Sequence, residues 1–242
     1  ENDRQLAAEA RNALGSCHFY LGDLMGALEH FLQAERLYQE AGDPAGAAAA
    51  YVSIGMCQHR LGANDDAVAS MLHGLEAARA QHLETLEINI YNSLGSALIA
   101  AQRAEEAAGY LATGVERARA TGNRSQLTKL LLNQSLLAKQ RGDAASAQDA
   151  ATGQALYAHA LALATQALEV AHELESPYDE AYCLGQTGTM LRLLGSHGEA
   201  AAILDSALDL GRRLKDVPLQ AQALVERGTT LAAQGRGAEA QR

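Results

Sequence analysis

The chain has 242 residues, of which 48% are hydrophobic, 20% are charged and only 4% are aromatic, with no tryptophan and three prolines. This composition excludes a disordered chain and favours helices, because alanine and leucine form helices well whereas strands are rich in β-branched and aromatic residues. The net charge of −10 disfavours nucleic acid as a partner, and no apolar run is long enough to cross a membrane. Three cysteines are too few for a disulfide scaffold, which favours a reducing, cytoplasmic location.

Three landmarks recur along the chain with one shared period. In steps of 40, 40, 40, 53 and 40 residues, the first landmark is found at Leu14-Gly15, Ile54-Gly55, Leu94-Gly95, Gln134-Ser135, Thr187-Gly188 and Arg227-Gly228. The second landmark is found at Leu21-Gly22, Leu61-Gly62, Arg141-Gly142, Leu194-Gly195 and Gln234-Gly235. The third is an alanine at 27, 67, 107, 147 and 200. Independent landmarks with a common period indicate an internal repeat of about 40 residues.

Each repeat predicts two helices. The first ends at the glycine of the second landmark, such as Gly22, because glycine readily adopts the conformation that closes a helix. Asp43-Pro44 and Ser176-Pro177 predict helix starts, since Asp and Ser cap a helix and proline suits its first position. The predicted units of this single repeat domain are 3–42, 43–82, 83–122, 123–175, 176–215 and a partial unit 216–242.

This pattern resembles the long form of the tetratricopeptide repeat family. The residues that carry the resemblance in the first unit are Leu14, Gly15, Leu21, Gly22, Ala27, Phe31 and Ala34. Two positions depart from the family pattern: Arg11 stands where the family often has tryptophan, and Ser135 replaces the first glycine in the fourth unit. The resemblance implies an all-α fold, a right-handed superhelix of five helix pairs plus one terminal helix.

The fourth unit is longer than the others by 13 residues, approximately 148–160. Thirteen residues at about 100° each would rotate the apolar face of one uninterrupted helix by about 220°, so we expect a break at Thr152-Gly153. The segment is either a tolerated surface insertion or a protruding element that contacts a partner. Gly153, Tyr157 and His159 are its candidate contact residues.

The landmarks continue through Gly235 and Ala238, but only seven residues follow Gly235. Together with the start at Glu1, this predicts that the sequence is a piece of a longer protein. The alternative is that the helix from about Leu219 to Gln234 is a natural cap of the array.

Residues able to carry chemistry are sparse. Cys17-His18 and Cys57-Gln58-His59 recur 40 residues apart, but adjacent helical residues point about 100° apart and cannot converge on one metal ion. The acidic pair Asp65-Asp66 is explained by the helix dipole, and Arg141-Gly142-Asp143 is expected in a repeat turn. We therefore expect no catalytic site, no metal and no cofactor.

Binding has a better physical basis, since the resemblance implies a concave wall lined by the first helices. The candidate binding residues are Asn12, Ser16, Tyr20, His59, Arg60, Asn89, Asn92, Ser96, Lys129, Lys139, Gln140 and Arg192. The asparagine amides are suited to pairing with an extended peptide backbone. The four cations in this set predict a basic stripe that favours an acidic peptide, unless each merely solvates an exposed face.

These observations predict a non-catalytic module that binds a protein or peptide in its groove. Long-form repeats in alanine- and arginine-rich bacterial proteins resemble the sensory arms that precede nucleotide cyclases, histidine kinases or DNA-binding regulators. The leading hypothesis is therefore a sensory or regulatory arm, with homodimerisation as an option. A stand-alone scaffold or assembly factor is one alternative, and a peptide-receptor regulator is another.

Overall fold

The structure, a computed structural model, describes residues 2–235, which form eleven helices and no strand. The helices are α1 (Asn2–Tyr20), α2 (Leu24–Ala41), α3 (Pro44–Arg60), α4 (Asn64–Ala80), α5 (Glu84–Ala100), α6 (Ala104–Ala120), α7 (Arg124–Ser146), α8 (Ala150–Glu173), α9 (Pro177–Leu193), α10 (His197–Leu214) and α11 (Val217–Ala233). Short turns join them into five successive pairs followed by α11. We call the first helix of each pair, and α11, an A helix, and the second a B helix. The all-α repeat fold predicted from the sequence is confirmed.

The chain divides into two compact units, Glu1–Arg117 and Ala118–Arg242. Unit 1 contains α1 to α5 and most of α6, and unit 2 contains the end of α6 and α7 to α11. In each unit, a B helix packs against its own A helix and against the next one, as α2 does against α1 and α3. The division of the sequence into six repeat units within one domain stays a prediction.

Local chemistry explains where the helices begin and end. The Asp43 carboxylate accepts a hydrogen bond from the Gly46 amide over 2.9 Å, and Pro44 occupies the first turn of α3. At the turns within pairs, Gly22 and Gly195 have φ values of +84° and +83°, in the left-handed region that favours glycine. The predicted helix ends and caps at these positions are confirmed.

The first landmark marks close approaches between the two helices of a pair. In unit 1, a Cβ atom added to Gly15 would lie 2.7 Å from the ring of Phe31, and one added to Gly95 would lie 2.6 Å from Cγ of Leu111. Real Cβ atoms do not come this close to another heavy atom, so a larger residue at either site would force the neighbouring side chain to shift. The landmark is therefore a packing requirement of the helix pair.

The thirteen extra residues of the fourth pair lengthen both of its helices. α7 has 23 residues and α8 has 24, whereas α5 and α6 have 17 each, so six and seven extra residues account for all thirteen. The predicted break at Thr152-Gly153 is wrong, because both residues lie inside α8, which begins after its cap at Asp149. Seven residues make almost two whole helical turns, short by only about 20°. The apolar face of α8 therefore stays directed at the same core along the whole helix.

The second landmark also changes role in this pair. Gly142 was expected to end a helix, with Arg141-Gly142-Asp143 in a turn, but all three residues lie inside α7. A Cβ on Gly142 would lie 2.7 Å from the ring of Tyr157, so this glycine serves the close packing of α7 on α8. The turn has moved along the chain to residues 147–149.

Candidate functional site

The A helices of unit 1 lie side by side and form one wall, made of α1, α3 and α5. α3 contacts α5 directly, where the Ser96 hydroxyl lies 3.3 Å from Nε2 of His59. α1 meets α3 where the Arg60 guanidinium lies over the ring of Phe19. The unit 1 wall carries the candidate residues Asn12, Ser16, Tyr20, His59, Arg60, Asn89, Asn92 and Ser96.

Two asparagines of the unit 1 wall carry hydrogen-bond acceptors with no partner. Asn12 and Asn89 are half-buried, and the Oδ1 atom of each is shielded from solvent without a hydrogen bond. Ser16, one turn after Asn12, donates its hydroxyl to the Asn12 carbonyl over 3.0 Å, so it does not serve the amide. A buried acceptor without a partner costs about 1–3 kcal/mol, which a donor on a ligand could recover if the amide rotated toward the groove.

His59 links three helices of unit 1. Its Nδ1 donates to Oδ1 of Asn64, the first residue of α4, over 2.8 Å, and its Nε2 faces Ser96 on α5. The Asn64 oxygen can only accept, so the proton between them belongs to the imidazole. This ring is therefore held in one orientation within the wall.

Arg60 is the cation among the candidate binding residues of the unit 1 wall. Its Cζ lies 4.7 Å from the centroid of the Phe19 ring, and its Nη1 approaches the Phe19 carbonyl at 3.5 Å. The side chain is exposed, and no carboxylate among residues 2–235 lies within ion-pair distance of it. Its positive charge is consequently available to a ligand.

In unit 2, α9 contacts both α7 and α11, which gives a second set of adjacent A helices. Its candidate residues are Lys129, Lys139, Gln140 and Arg192. Lys139 pairs with Asp143 at 2.7 Å, and Arg192 pairs with Glu226 at 3.2 Å. The basic stripe expected from the sequence is therefore wrong at these two positions, because a carboxylate neutralises each charge. Lys129 is exposed, and Gln140 is half-buried.

The candidate residues of the fourth pair have different environments. Tyr157 is only 7% exposed and Gly153 is buried, so the expectation that these two contact a partner is wrong. Tyr157 instead packs on α7, where its hydroxyl donates to Oδ1 of Asp143 over 2.8 Å. His159 is exposed, and its role as a contact residue stays a prediction.

The family of the repeat follows from its sequence. The family model of the tetratricopeptide repeat matches residues 6–80. These residues are tetratricopeptide repeats. No curated protein sequence matches the chain.

Solved structures extend this fold over nearly the whole chain. A Rap protein complexed with competence and sporulation factor has a TM-score of 0.80 and 13% identity, over 97% of this chain and 63% of that chain. NprR in complex with its cognate peptide NprX has a TM-score of 0.71 and 14% identity, over 96% and 62%. A signal transduction ATPase with a tetratricopeptide repeat sensor, from Pyrococcus horikoshii, has a TM-score of 0.68 and 13% identity, over 98% and 35%. The chain thus spans less than two thirds of these proteins, with which it shares a fold.

Several site types are absent from the described repeats. Residues 2–235 contain no cluster of three or more His, Cys, Asp or Glu side chains that could hold a metal ion. Cys57 is fully buried, and burial raises the pKa of its thiol to about 11. None of the described helices is both long and apolar enough to span a membrane. Residues 236–242, including Ala238, lie outside the described residues, so both expectations about the end of the array stay predictions.

The unit 1 wall also contains a pocket that the repeat pattern did not predict. Tetratricopeptide helices α1, α2 and α3 enclose a pocket of about 170 Å³, lined by Ser16, Phe19, Tyr20, Phe31, Ser53 and Met56. Ser53 lies outside the set of predicted groove residues, and Phe31 was assigned only to the repeat pattern. The spacing of residues along a helix predicts the face on which each residue lies. It does not predict how deep the space between two neighbouring helices is.

Proposed function

We propose that this chain is a non-catalytic tetratricopeptide module that binds an extended peptide segment along the unit 1 wall. In this proposal, the module acts as the sensory or regulatory part of a larger signalling protein. Binding of the segment would regulate the rest of that protein.

The observation that carries the proposal is the pair of unpartnered Oδ1 atoms on Asn12 and Asn89. Both lie on A helices of the same wall, and both are shielded from solvent. An extended peptide offers backbone N–H donors at regular intervals, and its carbonyls can accept from the same amides. Each Oδ1 is itself shielded, so the amide would have to rotate toward the groove, where a bound peptide would then satisfy a group that the free wall leaves unsatisfied.

The structural relatives support the peptide as the class of ligand. Two of them are described as complexes, a Rap protein with competence and sporulation factor and NprR with its cognate peptide. The third is a signalling ATPase whose tetratricopeptide repeats are described as a sensor. These descriptions support a regulatory role for the module.

Charge narrows the place where an acidic ligand would be recognised. Lys139 and Arg192 already pair with carboxylates, so they offer little net attraction to a further anion. Arg60 has no carboxylate partner within the described residues. Lys129 on α7 is also exposed and has no carboxylate partner among the described residues, but both unpartnered asparagine acceptors lie on the unit 1 wall, so attraction of an anionic group is assigned to Arg60 on that wall.

The test uses a phage-displayed library of random peptides selected against the chain. Affinities of the selected peptides, measured by fluorescence anisotropy, should fall about fivefold or more for Asn12→Ala and for Asn89→Ala, as expected for a lost buried hydrogen bond. The control is Glu76→Ala, which changes an exposed residue on α4. Failure to enrich any peptide, or equal affinities for all variants, would contradict the proposal.

A further inference from the structure

Two histidine rings meet between α1 and α2. The ring centroids of His18 and His30 lie 5.0 Å apart, with the ring planes tilted by 45°. His18 lies in the last turn of α1, and His30 lies inside α2. The sequence argument against metal binding concerned neighbouring residues of one helix, whereas the packing of two helices brings this pair together.

The separation of the two rings matches that of two histidines bound to one metal ion. A zinc–nitrogen bond is about 2.0–2.1 Å long and the centre of an imidazole lies about 1.1 Å beyond its nitrogen, so each centroid lies about 3.2 Å from a bound ion. Two such centroids are about 4.5 Å apart when the bonds meet at about 90°, and about 5.2 Å apart at about 109°. The observed 5.0 Å falls within this range. The packing of α1 on α2 therefore already holds the rings at the required separation.

A carboxylate fixes the position of the proton on the His18 ring. Nδ1 of His18 lies 2.7 Å from Oδ2 of Asp23, the residue that caps α2. A carboxylate only accepts, so Nδ1 donates and the lone pair of the neutral ring lies on Nε2. A carboxylate bonded in this way orients many metal-binding histidines in proteins. The His18 side chain is 37% exposed, so an ion can reach it from solvent.

Gly26 leaves the space that the pair of His18 and Asp23 occupies. A Cβ atom added to Gly26 would lie 2.8 Å from Nδ1 of His18 and still closer to the Asp23 carboxylate. Any larger residue at this position would therefore displace the pair.

Arg11 competes with an ion for the second ring. Its Nη1 lies 3.4 Å from Nδ1 of His30, and a guanidinium only donates, so Nδ1 of His30 accepts. The lone pair that faces Arg11 is thus the one that His30 can offer to an ion. The contact is long and exposed, so its loss on metal binding costs little.

We propose that His18 and His30 bind one divalent transition-metal ion of the zinc class between α1 and α2, through Nε2 of His18 and Nδ1 of His30. Neutral imidazole nitrogens suit zinc, nickel and copper, whereas magnesium and calcium prefer oxygen ligands. Two histidines make a smaller site than the clusters of three or more side chains that residues 2–235 lack, so water completes the coordination. The site goes beyond the proposed function, because neither histidine is a candidate residue of the unit 1 wall.

The test is a titration of the folded chain with zinc chloride, followed by the Cε1–H resonances of its eight histidines. We expect the resonances of His18 and His30 to shift together and to saturate at one ion per chain, whereas magnesium chloride should shift neither. His59 is the internal reference. Its Nδ1 also bonds a residue five positions later, Asn64, but its other nitrogen faces Ser96 instead of a second histidine. Its resonance should not follow the zinc saturation curve.

Substitution of the two ligands tests the assignment directly. His18→Gln and His30→Gln should each lower the affinity for zinc about tenfold or more. The matched control is His172→Gln, on an exposed position of α8, which should leave the affinity unchanged. Zinc should also raise the melting temperature of the wild-type chain more than that of either ligand variant, because it binds the folded site.

Three neighbouring positions test the arrangement around the ligands. Asp23→Asn keeps a side chain that caps α2 but removes the carboxylate, and it should lower the affinity about tenfold. Gly26→Ala should also lower it, because the added methyl group displaces Asp23 and the His18 ring. Arg11→Gln should raise the affinity about two- to fivefold, because a competing positive charge is lost.

Three results would overturn the inference: no saturable shift of any histidine resonance, saturable shifts confined to histidines other than His18 and His30, or an affinity that both ligand variants retain. Melting temperatures measured without zinc report whether each variant is folded. The titration of the wild-type chain decides between the outcomes even where one variant fails to fold.

Discussion

The Tyr157 hydroxyl on α8 donates a hydrogen bond to Oδ1 of Asp143 on α7 across 2.8 Å. The same ring fills the space above Gly142, and Tyr157 is only 7% exposed. Asp143 also accepts from Lys139 at 2.7 Å, which neutralises the carboxylate. The residues that lengthen the fourth pair are thus tied into its packing by a buried aromatic side chain.

Tyr157→Phe tests the contribution of this hydrogen bond. The ring would stay in place while the hydroxyl is lost, so we expect the free energy of unfolding to fall by about 1 kcal/mol. Urea unfolding measures this change. Tyr20→Phe is the control, because Tyr20 is 87% exposed and its hydroxyl makes no hydrogen bond within the described residues. Equal losses in the two variants would show that the Tyr157 hydroxyl contributes nothing specific.

The repeat made much of the fold predictable because its signals are local and steric. Gly15 lies where two helices approach closely, and Gly22 lies in a turn with left-handed backbone conformation. Because these glycines recur with the repeat, they predicted the order of the helices along the chain. The position of the turn between α7 and α8 was not predictable in the same way. The thirteen extra residues were expected in one segment, approximately 148–160, whereas the chain divides them between α7 and α8.

The site was less predictable than the fold. The position of Arg60 on a groove-facing turn follows from the repeat, but its contact with Phe19 depends on how α3 packs on α1. Lys139 and Asp143 are four residues apart, a spacing that could have signalled their ion pair. Arg192 and Glu226 are 34 residues apart and outside the 40-residue period, so no sequence pattern signalled that pair.

The two glycines Gly95 and Gly109 predict opposite responses to the same substitution. Gly95→Ala would force a Cβ to within 2.6 Å of Cγ of Leu111, a fully buried residue, and should destabilise unit 1 by about 1–3 kcal/mol. At Gly109, inside α6, an added Cβ meets nothing within 4 Å. Gly109→Ala should therefore stabilise the chain by up to about 1 kcal/mol through helix propensity. Thermal unfolding measures the stability of both variants. An unchanged stability of Gly95→Ala would contradict the close contact between α5 and α6.

The three cysteines should differ sharply in reactivity. Cys57 and Cys183 are fully buried, and burial raises the pKa of their thiols to about 11 and about 12, so almost none of either is thiolate at neutral pH. Cys17 is exposed, although it occupies the repeat position of Cys57. The reason is that α2 covers Cys57, whereas no described helix packs on the equivalent face of α1.

We therefore expect iodoacetamide to modify Cys17 in the folded chain and to modify the other two only after unfolding. Peptide mapping by mass spectrometry identifies the labelled residue. The variant Cys17→Ser should remove the labelling of the folded chain, and denaturant should restore labelling at both remaining positions. Rapid modification of Cys57 without denaturant would contradict its placement beneath α2.

Arg192 and Glu226 form the ion pair of unit 2 whose loss should be most costly. Their side chains are 19% and 25% exposed, and Nε of Arg192 is buried without a partner, so Glu226→Gln would weaken the contacts of a largely desolvated cation. Arg212 and Asp209 lie at the nearly equal distance of 3.3 Å, but their side chains are 62% and 70% exposed. We expect Glu226→Gln to cost about 1–3 kcal/mol of unfolding free energy and Asp209→Asn to cost at most about 0.5 kcal/mol.

Salt provides an independent check on this comparison. Added sodium chloride should reduce the small contribution of the exposed pair and change that of Arg192–Glu226 less, because solvent ions screen buried charges weakly.

A double-mutant cycle measures the interaction between Arg192 and Glu226 directly. It is completed by urea unfolding of Arg192→Gln, of Glu226→Gln and of the double variant Arg192→Gln/Glu226→Gln. A coupling energy near zero would mean that Glu226 does not hold the Arg192 charge. The Arg192 guanidinium would then be available to a ligand, and the assignment of anion recognition to Arg60 in preference to Arg192 would fail.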